Sequence, residues 1–176
     1  MELLHRNPAP PSPAAGSPPI HGAEAMYQAY GDMVYRLAVL RTRSTQDAED
    51  VLQEVFVRCL RRNPVFEDAE HQKAWFLRVT INCTKTLLTS AWRRHAITGV
   101  EQEEGTAEAQ DHSDVLDAVM ALPQKYRTVV HLYYYEQYSV REIASITGAS
   151  ENTVKSQLFR ARDMLKDRLK EEYDYA

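Results

Sequence analysis

The sequence predicts an all-α protein with two small helical domains joined by a flexible linker. Apolar residues recur at three- and four-residue steps along most of the chain, and alternating strand patterns are absent. Glycine is sparse, with 6 among 176 residues. A polar, acidic stretch without periodicity, residues 96–112, separates the two helical parts.

The chain is predicted to have five segments. Residues 1–24 are rich in proline and are predicted to form a disordered tail, because they bury too little apolar surface to offset chain entropy. Residues 25–95 form the first helical domain, and residues 96–112 form the acidic linker. The second domain spans residues 113–170, and an acidic tail follows at residues 171–176.

The first domain is predicted to contain three helices. The first spans about residues 25–40, and Ser44 is the predicted N-cap of the second. The second helix ends before Pro64, and the third spans about residues 70–94. The residues predicted to form the apolar face of the second helix are Ala48, Val51, Leu52, Val55, Phe56, Cys59 and Leu60.

Two surfaces of the first domain carry candidate binding residues. The outer face of the second helix is acidic, and it suits either a solvated surface or a docking face for a basic partner helix. The third helix combines basic and aromatic residues from His71 to Arg94, a mixture typical of grooves that hold single-stranded nucleic acid. Phe66 in the preceding loop is a candidate stacking platform, whereas Trp75 is expected in the core.

The second domain is predicted to contain a helix-turn-helix. Ser139 and Glu142 form a capping box at the start of the first of these helices, and Gly148 suits the left-handed turn that follows. Ser150 is the predicted N-cap of the second, longer helix, and Pro123 is placed at the first position of an earlier one. Since this motif places its second helix in the major groove, DNA is the predicted ligand.

Composition limits the remaining function classes. The net charge is −4, but the basic residues cluster locally, and local charge governs attraction to phosphate. Cys59 and Cys83 lack partners at short spacing, so we expect buried, reduced thiols in a reducing cytoplasm. No signal peptide, membrane span or metal-ligand spacing of histidines is visible, so a cytoplasmic protein without cofactor or metal is expected.

Four segments together resemble the sigma factors of bacterial RNA polymerase, of the extracytoplasmic-function (ECF) type within the sigma-70 family. Residues 47–56 resemble the polymerase-binding helix of region two, and residues 75–82 resemble its promoter-melting segment. Residues 122–127 resemble the opening helix of region four, and residues 153–162 resemble its recognition helix. These segments occur in the family's order and spacing.

The resemblance implies an alternative sigma factor that performs no catalysis itself. It would bind core RNA polymerase through the clamp helices of the largest subunit and the flap of the second-largest. It would then recognise −35 duplex DNA and melted −10 DNA of a promoter class. An anti-sigma factor is a further implied partner.

The resemblance also implies three sets of contact residues. Those for core polymerase are Asp47, Asp50, Gln53 and Glu54. Those for −10 DNA are Phe66, Arg78, Asn82 and Lys85. Those for −35 DNA are Asn152, Thr153, Lys155, Ser156, Gln157 and Arg160. Gln157 departs from the family, since many relatives carry arginine there, although glutamine can read adenine.

Two other functions stay open. A stand-alone helix-turn-helix regulator would bind duplex DNA without polymerase, and it would not need the acidic second helix or residues 75–82. A small helical enzyme would need converging catalytic groups, whereas the histidines are scattered along the sequence.

Overall fold

The computed structural model describes residues 16–98 and 114–174 of the chain. Within these two ranges all regular structure is helical, which confirms the predicted fold class. The described residues form two compact units, called here the first unit (16–98) and the second unit (114–174). The predicted linker lies outside the described residues except for 96–98, which continue a helix.

The first unit contains three helices: α1 (Ala23–Thr42), α2 (Thr45–Arg62) and α3 (Ala69–Thr98). Each packs against the other two. The fully buried centre includes Leu37 of α1, Val55 of α2 and Phe76 of α3. The rings of Tyr30 and Phe76 stack with centroids 4.8 Å apart, and aromatic burial of this kind dominates core energetics.

Most details of the α2 prediction are confirmed, with one error. Ser44 caps the helix, and its hydroxyl accepts a hydrogen bond from the backbone N–H of Asp47. Cys59 is buried as predicted, but Leu60 is 57% exposed, so its assignment to the apolar face was wrong. Successive side chains of a helix point in directions about 100° apart. Cys59 therefore still points to the buried side of α2, whereas Leu60, one residue later, points to solvent.

The predicted N-terminal tail also needs correction. Residues 17–20 are fixed against the first unit by hydrogen bonds to the start of α3, and α1 already begins at Ala23. Composition alone predicted disorder for this part of the proline-rich stretch because the partner groups lie far along the sequence. The earlier part of the predicted tail, residues 1–15, lies outside the described residues.

The second unit contains four helices: α4 (Asp114–Met120), α5 (Gln124–Val130), α6 (Val140–Thr147) and α7 (Glu151–Asp174). A π-helical turn, His131–Tyr135, extends α5. A buried cluster of Leu122, Tyr126, Val130 and Ala161 joins α5 to α7. Pro123 is the N-cap residue of α5 rather than its first helical residue, a difference of one position.

The helix-turn-helix forms as predicted. Ser139 and Glu142 make a reciprocal capping box at the start of α6. Gly148 follows α6 with φ of 74°, a left-handed conformation that glycine adopts without a Cβ penalty. Ser150 caps α7, since its hydroxyl accepts the backbone N–H of Thr153.

Three further observations bear on the predicted class of protein. Cys59 and Cys83 are free and buried, as predicted, and burial raises the pKa of both thiols. No helix in the two described ranges has the length and apolar content needed to cross a bilayer. Among the same residues, no group of three or more His, Cys, Asp or Glu side chains could hold a metal ion.

Candidate protein and nucleic-acid interfaces

Three acidic residues of α2, Asp47, Asp50 and Glu54, lie on one outward face. Asp50, Gln53 and Glu54 are exposed, and Asp47 is half-buried beside the Ser44 cap. The spacing of three, then four residues from Asp47 to Asp50 to Glu54 places these carboxylates along one side of the helix. The face therefore presents aligned negative charge to solvent.

The end of this face is ordered by an ion pair within α2. The guanidinium Nε of Arg58 donates to Glu54 Oε1 at 2.5 Å. This hydrogen bond is the main cause of the raised pKa of Arg58. Because the pair is exposed, it holds the carboxylate in place more than it adds to the free energy of folding.

An open groove of about 670 Å³ runs beside the acidic face, between α1 and α2. Its lining combines aromatic side chains, such as Tyr27 and Tyr35, with polar and acidic ones, such as Gln53 and Glu49. The Tyr27 ring packs against Phe56 with centroids 5.1 Å apart. Burial, assisted by the charge of Glu49, raises the pKa of Tyr35.

The loop before α3 holds Phe66 against the first turns of that helix. The Phe66 ring makes edge contacts with His71 and Trp75, at centroid distances of 5.8 and 5.7 Å. Asp68 caps α3 by accepting the backbone N–H of His71 at 2.7 Å. In turn, His71 Nδ1 accepts the backbone N–H of Glu67. Phe66 is half-buried in this arrangement, and so is Trp75, which was expected in the core.

The other predicted −10 residues continue this surface along α3. Arg78, Asn82 and Lys85 are all exposed. Their spacing of four and three residues places them on one face over about 10 Å of helix. The surface thus combines an aromatic platform at one end with positive charge and an amide farther along.

The predicted −35 residues lie on the outward face of α7. Asn152, Thr153, Lys155, Ser156 and Arg160 are exposed, and Gln157 is half-buried. The opposite face is anchored by Val154, Leu158 and Ala161, all of which are buried. The helix is therefore fixed by one side while its polar side faces solvent.

A tyrosine of α5 positions one of these residues. Tyr126 forms a side-chain hydrogen bond with Arg160, and this bond is the main cause of the lowered pKa of Tyr126. Lys125 Nζ lies 5.0 Å from the centroid of the same ring. Together with Arg160, these two residues line a shallow pocket of about 300 Å³ between α5 and α7, whose other lining residues are Asn152, Thr153, Ser156 and Gln157.

Comparison with known proteins identifies the family. The family model "Sigma-70 region 2" matches residues 26–94, and "Sigma-70, region 4" matches residues 112–165. The chain is 31% identical over 157 residues to the ECF RNA polymerase sigma factor SigL of Mycobacterium tuberculosis, covering 84% of this chain and 88% of that protein. The chain belongs to the ECF sigma factors.

Other relatives agree with this membership. The RNA polymerase sigma-E factor of Streptomyces coelicolor is 34% identical over 131 residues, covering 70% of this chain and 72% of that protein. The RNA polymerase sigma factor SigV of Bacillus subtilis is 29% identical over 141 residues, covering 78% and 85%. This ECF sigma factor is thus an alternative sigma factor that acts in transcription initiation.

A solved structure shares the fold of this ECF sigma factor. The sigma factor RpoE of Bartonella quintana, in complex with the anti-sigma factor NepR, matches with a TM-score of 0.71 at 22% identity. The match covers 84% of this chain and 96% of that protein.

Several surface residues of this ECF sigma factor were missed in the sequence. Phe159 is 69% exposed on the outward side of α7, and Trp92 is 70% exposed near the end of α3. Arg162 is exposed as well, and its Nε donates to the hydroxyl of Tyr134 at 2.6 Å. The sequence did contain a signal for Phe159, because an apolar residue there stands on the polar side of the helical pattern.

Proposed function

We propose that this sigma factor uses three separate surfaces for its three contacts. The acidic face of α2 binds core polymerase, the loop before α3 and the exposed side of α3 capture melted −10 DNA, and α7 reads −35 duplex DNA. The observation that carries the proposal is the chemistry of these faces. One is acidic, one combines basic and aromatic groups, and one is basic and polar on a helix-turn-helix.

The acidic face suits a basic helix of core polymerase. Asp50 and Glu54 are exposed on the same side of α2, so both carboxylates can approach one partner surface. The neighbouring groove between α1 and α2 offers aromatic area that such a helix can bury. The family resemblance assigns this contact to the clamp helices of the largest subunit and the second unit to the flap of the second-largest.

The surface of α3 suits an unstacked strand. Phe66 is held by its ring contacts and is only half-buried, and base stacking on an aromatic side chain contributes about 1–3 kcal/mol. The amide of Asn82 can hydrogen-bond a base edge, while Arg78 and Lys85 can neutralise phosphates. Capture of an extruded base offsets the few kcal/mol that unstacking costs.

The outward face of α7 suits duplex DNA. Arg160 and Lys155 can contact phosphates or guanine, and Tyr126 holds the Arg160 guanidinium in place. Gln157 can read adenine, and the exposed ring of Phe159 can contact a thymine methyl group. In this proposal the polymerase supplies all catalysis, and the sigma factor works where the polymerase does, in the cytoplasm.

We further propose an anti-sigma factor as a partner, as the family resemblance implies. Exposed apolar side chains beside the binding surfaces, such as Val57 and Phe159, provide area that such a protein would bury. It would compete with core polymerase for the sigma factor. A stable complex containing core polymerase, sigma factor and anti-sigma factor together would contradict this competition.

The DNA contacts can be tested with holoenzyme assembled from this chain and core polymerase. A promoter is first selected from a randomised DNA library, and two probes are made from it: an intact duplex and a pre-melted fragment. Lys155→Ala/Arg160→Ala should weaken binding to the duplex about tenfold or more. Asn82→Ala should instead weaken binding to the pre-melted −10 strand.

A matched control uses the same helix. Arg168→Ala/Lys170→Ala removes the same charge from exposed positions two turns farther along α7 and should leave both probes within about twofold. Equal losses on both probes for either functional variant would contradict the division of labour. Selective duplex binding without core polymerase, unaffected by its addition, would favour the stand-alone regulator.

A further inference from the structure

A short extended segment crosses the beginning of α3. This N-terminal strap, residues 17–20, has the sequence Ser-Pro-Pro-Ile. The carbonyl of Ser17 accepts the backbone N–H of Ala69 at 2.9 Å. The backbone N–H of Ile20 donates to Gln72 Oε1 at 2.7 Å, and Gln72 Nε2 donates to the Ile20 carbonyl at 2.8 Å. The strap is thus bonded to the first turn of α3 at both of its ends.

The Gln72 side chain is the centre of this arrangement. It is fully buried, and its Oε1 also accepts a hydrogen bond from the Tyr30 hydroxyl at 3.1 Å. Since a backbone N–H only donates and a carbonyl only accepts, the two bonds to Ile20 fix the orientation of the Gln72 amide. Loss of the Ile20 carbonyl would remove the acceptor of the buried Gln72 Nε2, whereas Oε1 would keep the Tyr30 hydroxyl after loss of the Ile20 N–H. Loss of a buried hydrogen-bond partner is costly.

The prolines of the strap explain its shape. Pro18 and Pro19 have no backbone N–H and a fixed φ, so they favour an extended chain and leave few conformations to lose on ordering. The groups that bond to α3 are those on either side of the prolines, the Ser17 carbonyl and the Ile20 backbone. The prolines that predicted disorder therefore favour the conformation in which the strap binds.

The strap contacts α3 directly after the loop that carries Phe66. That loop connects α2 to α3 and begins at Asn63, which has a left-handed φ of 43°. It ends at Asp68, the cap of α3, directly before the strap contact at Ala69. The carbonyl of Ala69 lies 3.4 Å from the Tyr30 hydroxyl and shares its single proton with Gln72 Oε1, which is nearer at 3.1 Å.

We propose that the N-terminal strap, acting through Gln72, positions the Phe66 loop for capture of the melted −10 strand. Gln72 is a positioning residue: it contacts the strap and Tyr30 and acts on DNA through the loop. Fixing the end of the loop in advance removes part of the ordering cost of DNA binding. The inference rests on the proposed −10 role of this loop.

Two deletions and four substitutions test the strap in holoenzyme. Deletion of residues 1–20 removes the strap, whereas deletion of residues 1–15 retains it. Ile20→Pro removes the N–H that Gln72 accepts and also fixes φ at this position, whereas Ile20→Val keeps the N–H. Gln72→Leu replaces the amide by an apolar side chain of comparable size. Asn82→Ala serves as the reference for loss of strand capture.

The probe is the pre-melted fragment of the selected promoter. Deletion of residues 1–20, Ile20→Pro and Gln72→Leu should each weaken holoenzyme binding about threefold to tenfold. Deletion of residues 1–15 and Ile20→Val should stay within about twofold of wild type. Affinity for core polymerase should be unchanged in all of them, because the acidic face of α2 is not part of the strap network.

Three outcomes would overturn the inference. If the strap variants bind the fragment like wild type while Asn82→Ala weakens binding, the strap has no role in capture and the proposed function stands. If Asn82→Ala also has no effect, the −10 assignment fails and the strap inference fails with it. If the strap variants lose core polymerase affinity to the same extent, the strap only supports folding.

Discussion

The two units of this sigma factor organise their binding surfaces in different ways. In the second unit, the proposed −35 residues lie within nine positions of one helix, and the turn before it is built by adjacent residues. In the first unit, the proposed surfaces lie on different helices. The segments that support these surfaces contact each other although they are far apart in the sequence. Gln72 and Ile20, for example, are 52 residues apart.

This difference shows which binding surfaces local sequence can build. A helix-turn-helix needs caps and a left-handed glycine, all supplied within about a dozen residues. The loop that holds Phe66 needs a distant strap and a tyrosine of α1 as well. We therefore expect the −35 surface of the second unit to be sensitive mainly to substitutions within the helix-turn-helix itself. We expect the Phe66 loop of the first unit to be sensitive also to substitutions that lie far from it in the sequence.

Alkaline pH should affect the two units in opposite directions. Burial, assisted by Glu70, raises the pKa of Tyr30 to about 12 from 10.0. The stability this tyrosine contributes is therefore complete below pH 10 and is lost as pH rises through 12, by about 2 kcal/mol. The hydrogen bond to Arg160 lowers the pKa of Tyr126, so its contribution is present above pH 10 and is lost as pH falls through the lowered value.

Denaturant titrations between pH 8 and 12 can separate these effects. Both tryptophans, Trp75 and Trp92, belong to the first unit, so their fluorescence reports that unit alone. Tyr30→Phe should reduce the alkaline loss of stability seen by tryptophan fluorescence, and the buried thiols and Tyr35 should account for the remainder. An unchanged slope in this variant would show that Tyr30 does not cause the loss.

Two glycines should respond oppositely to alanine. Gly148 has a left-handed φ, and no atom lies within 4 Å of where a Cβ would be, so Gly148→Ala should cost about 1–2 kcal/mol through the backbone alone. Gly31 lies inside α1, where a Cβ would make ordinary contact with Tyr27 at 3.6 Å. Gly31→Ala should therefore stabilise the first unit by about 0.5–1 kcal/mol.

Gly148→Asn is the matched control for the turn, because asparagine tolerates the left-handed region better than alanine. Thermal unfolding of the three variants gives the comparison. A greater loss for asparagine than for alanine would show that backbone conformation is not what selects glycine at this position.

The helix caps should differ in strength. Ser139 and Glu142 cap each other reciprocally, since Glu142 Oε2 accepts the Ser139 N–H at 2.8 Å. The Ser44 hydroxyl accepts the Asp47 N–H, but the Ser44 backbone N–H donates to Thr42 Oγ1 and not to a carboxylate in the first turn of α2. Ser139→Ala should cost about 1 kcal/mol or slightly more, and Ser44→Ala about 1 kcal/mol or slightly less. Denaturant midpoints would measure both, with Ser139→Thr and Ser44→Thr as the conservative controls that should recover most of each loss.

The smallest expected effect concerns Gln157. Gln157→Arg should add one phosphate contact to α7 and make the slope of log affinity against log salt steeper by about 0.9. Gln28→Arg, an exposed position in α1, adds the same charge as a control. A titration of the −35 duplex from 50 to 200 mM salt would measure the slopes. Identical slopes for wild type and Gln157→Arg would place this residue away from the phosphates.

Helix content and the turn region were predictable because their determinants are local. The caps at Ser44, Ser139 and Ser150 and the turn at Gly148 follow from residue type and spacing, and the structure confirms them. The outward direction of Asp50, Asn82 and Arg160 follows from the helical period in the same way. Their binding roles stay predictions.

The features that the sequence did not predict depend on contacts between residues that are far apart in the chain. The strap was predicted as disordered because nothing near it in the sequence identifies Gln72 as its partner. The contact of Tyr126 with Arg160 likewise joins two helices, and only the fold brings them together. Leu60 was assigned to the buried face because it is apolar. Few residues define the direction of the buried face at the end of a helix, and Leu60 is in fact exposed.

The measurement that tests the account most directly is the affinity of the labelled full-length chain for core RNA polymerase. Wild type should bind, and Asp50→Lys/Glu54→Lys should lose about 100-fold or more, since it places positive charge against a basic partner. The control Glu24→Lys/Asp117→Lys makes the same change in net charge at exposed positions elsewhere and should bind like wild type. Failure of the folded wild-type chain to bind, or equal binding by the α2 variant, would contradict the proposal that the acidic face of α2 binds core polymerase.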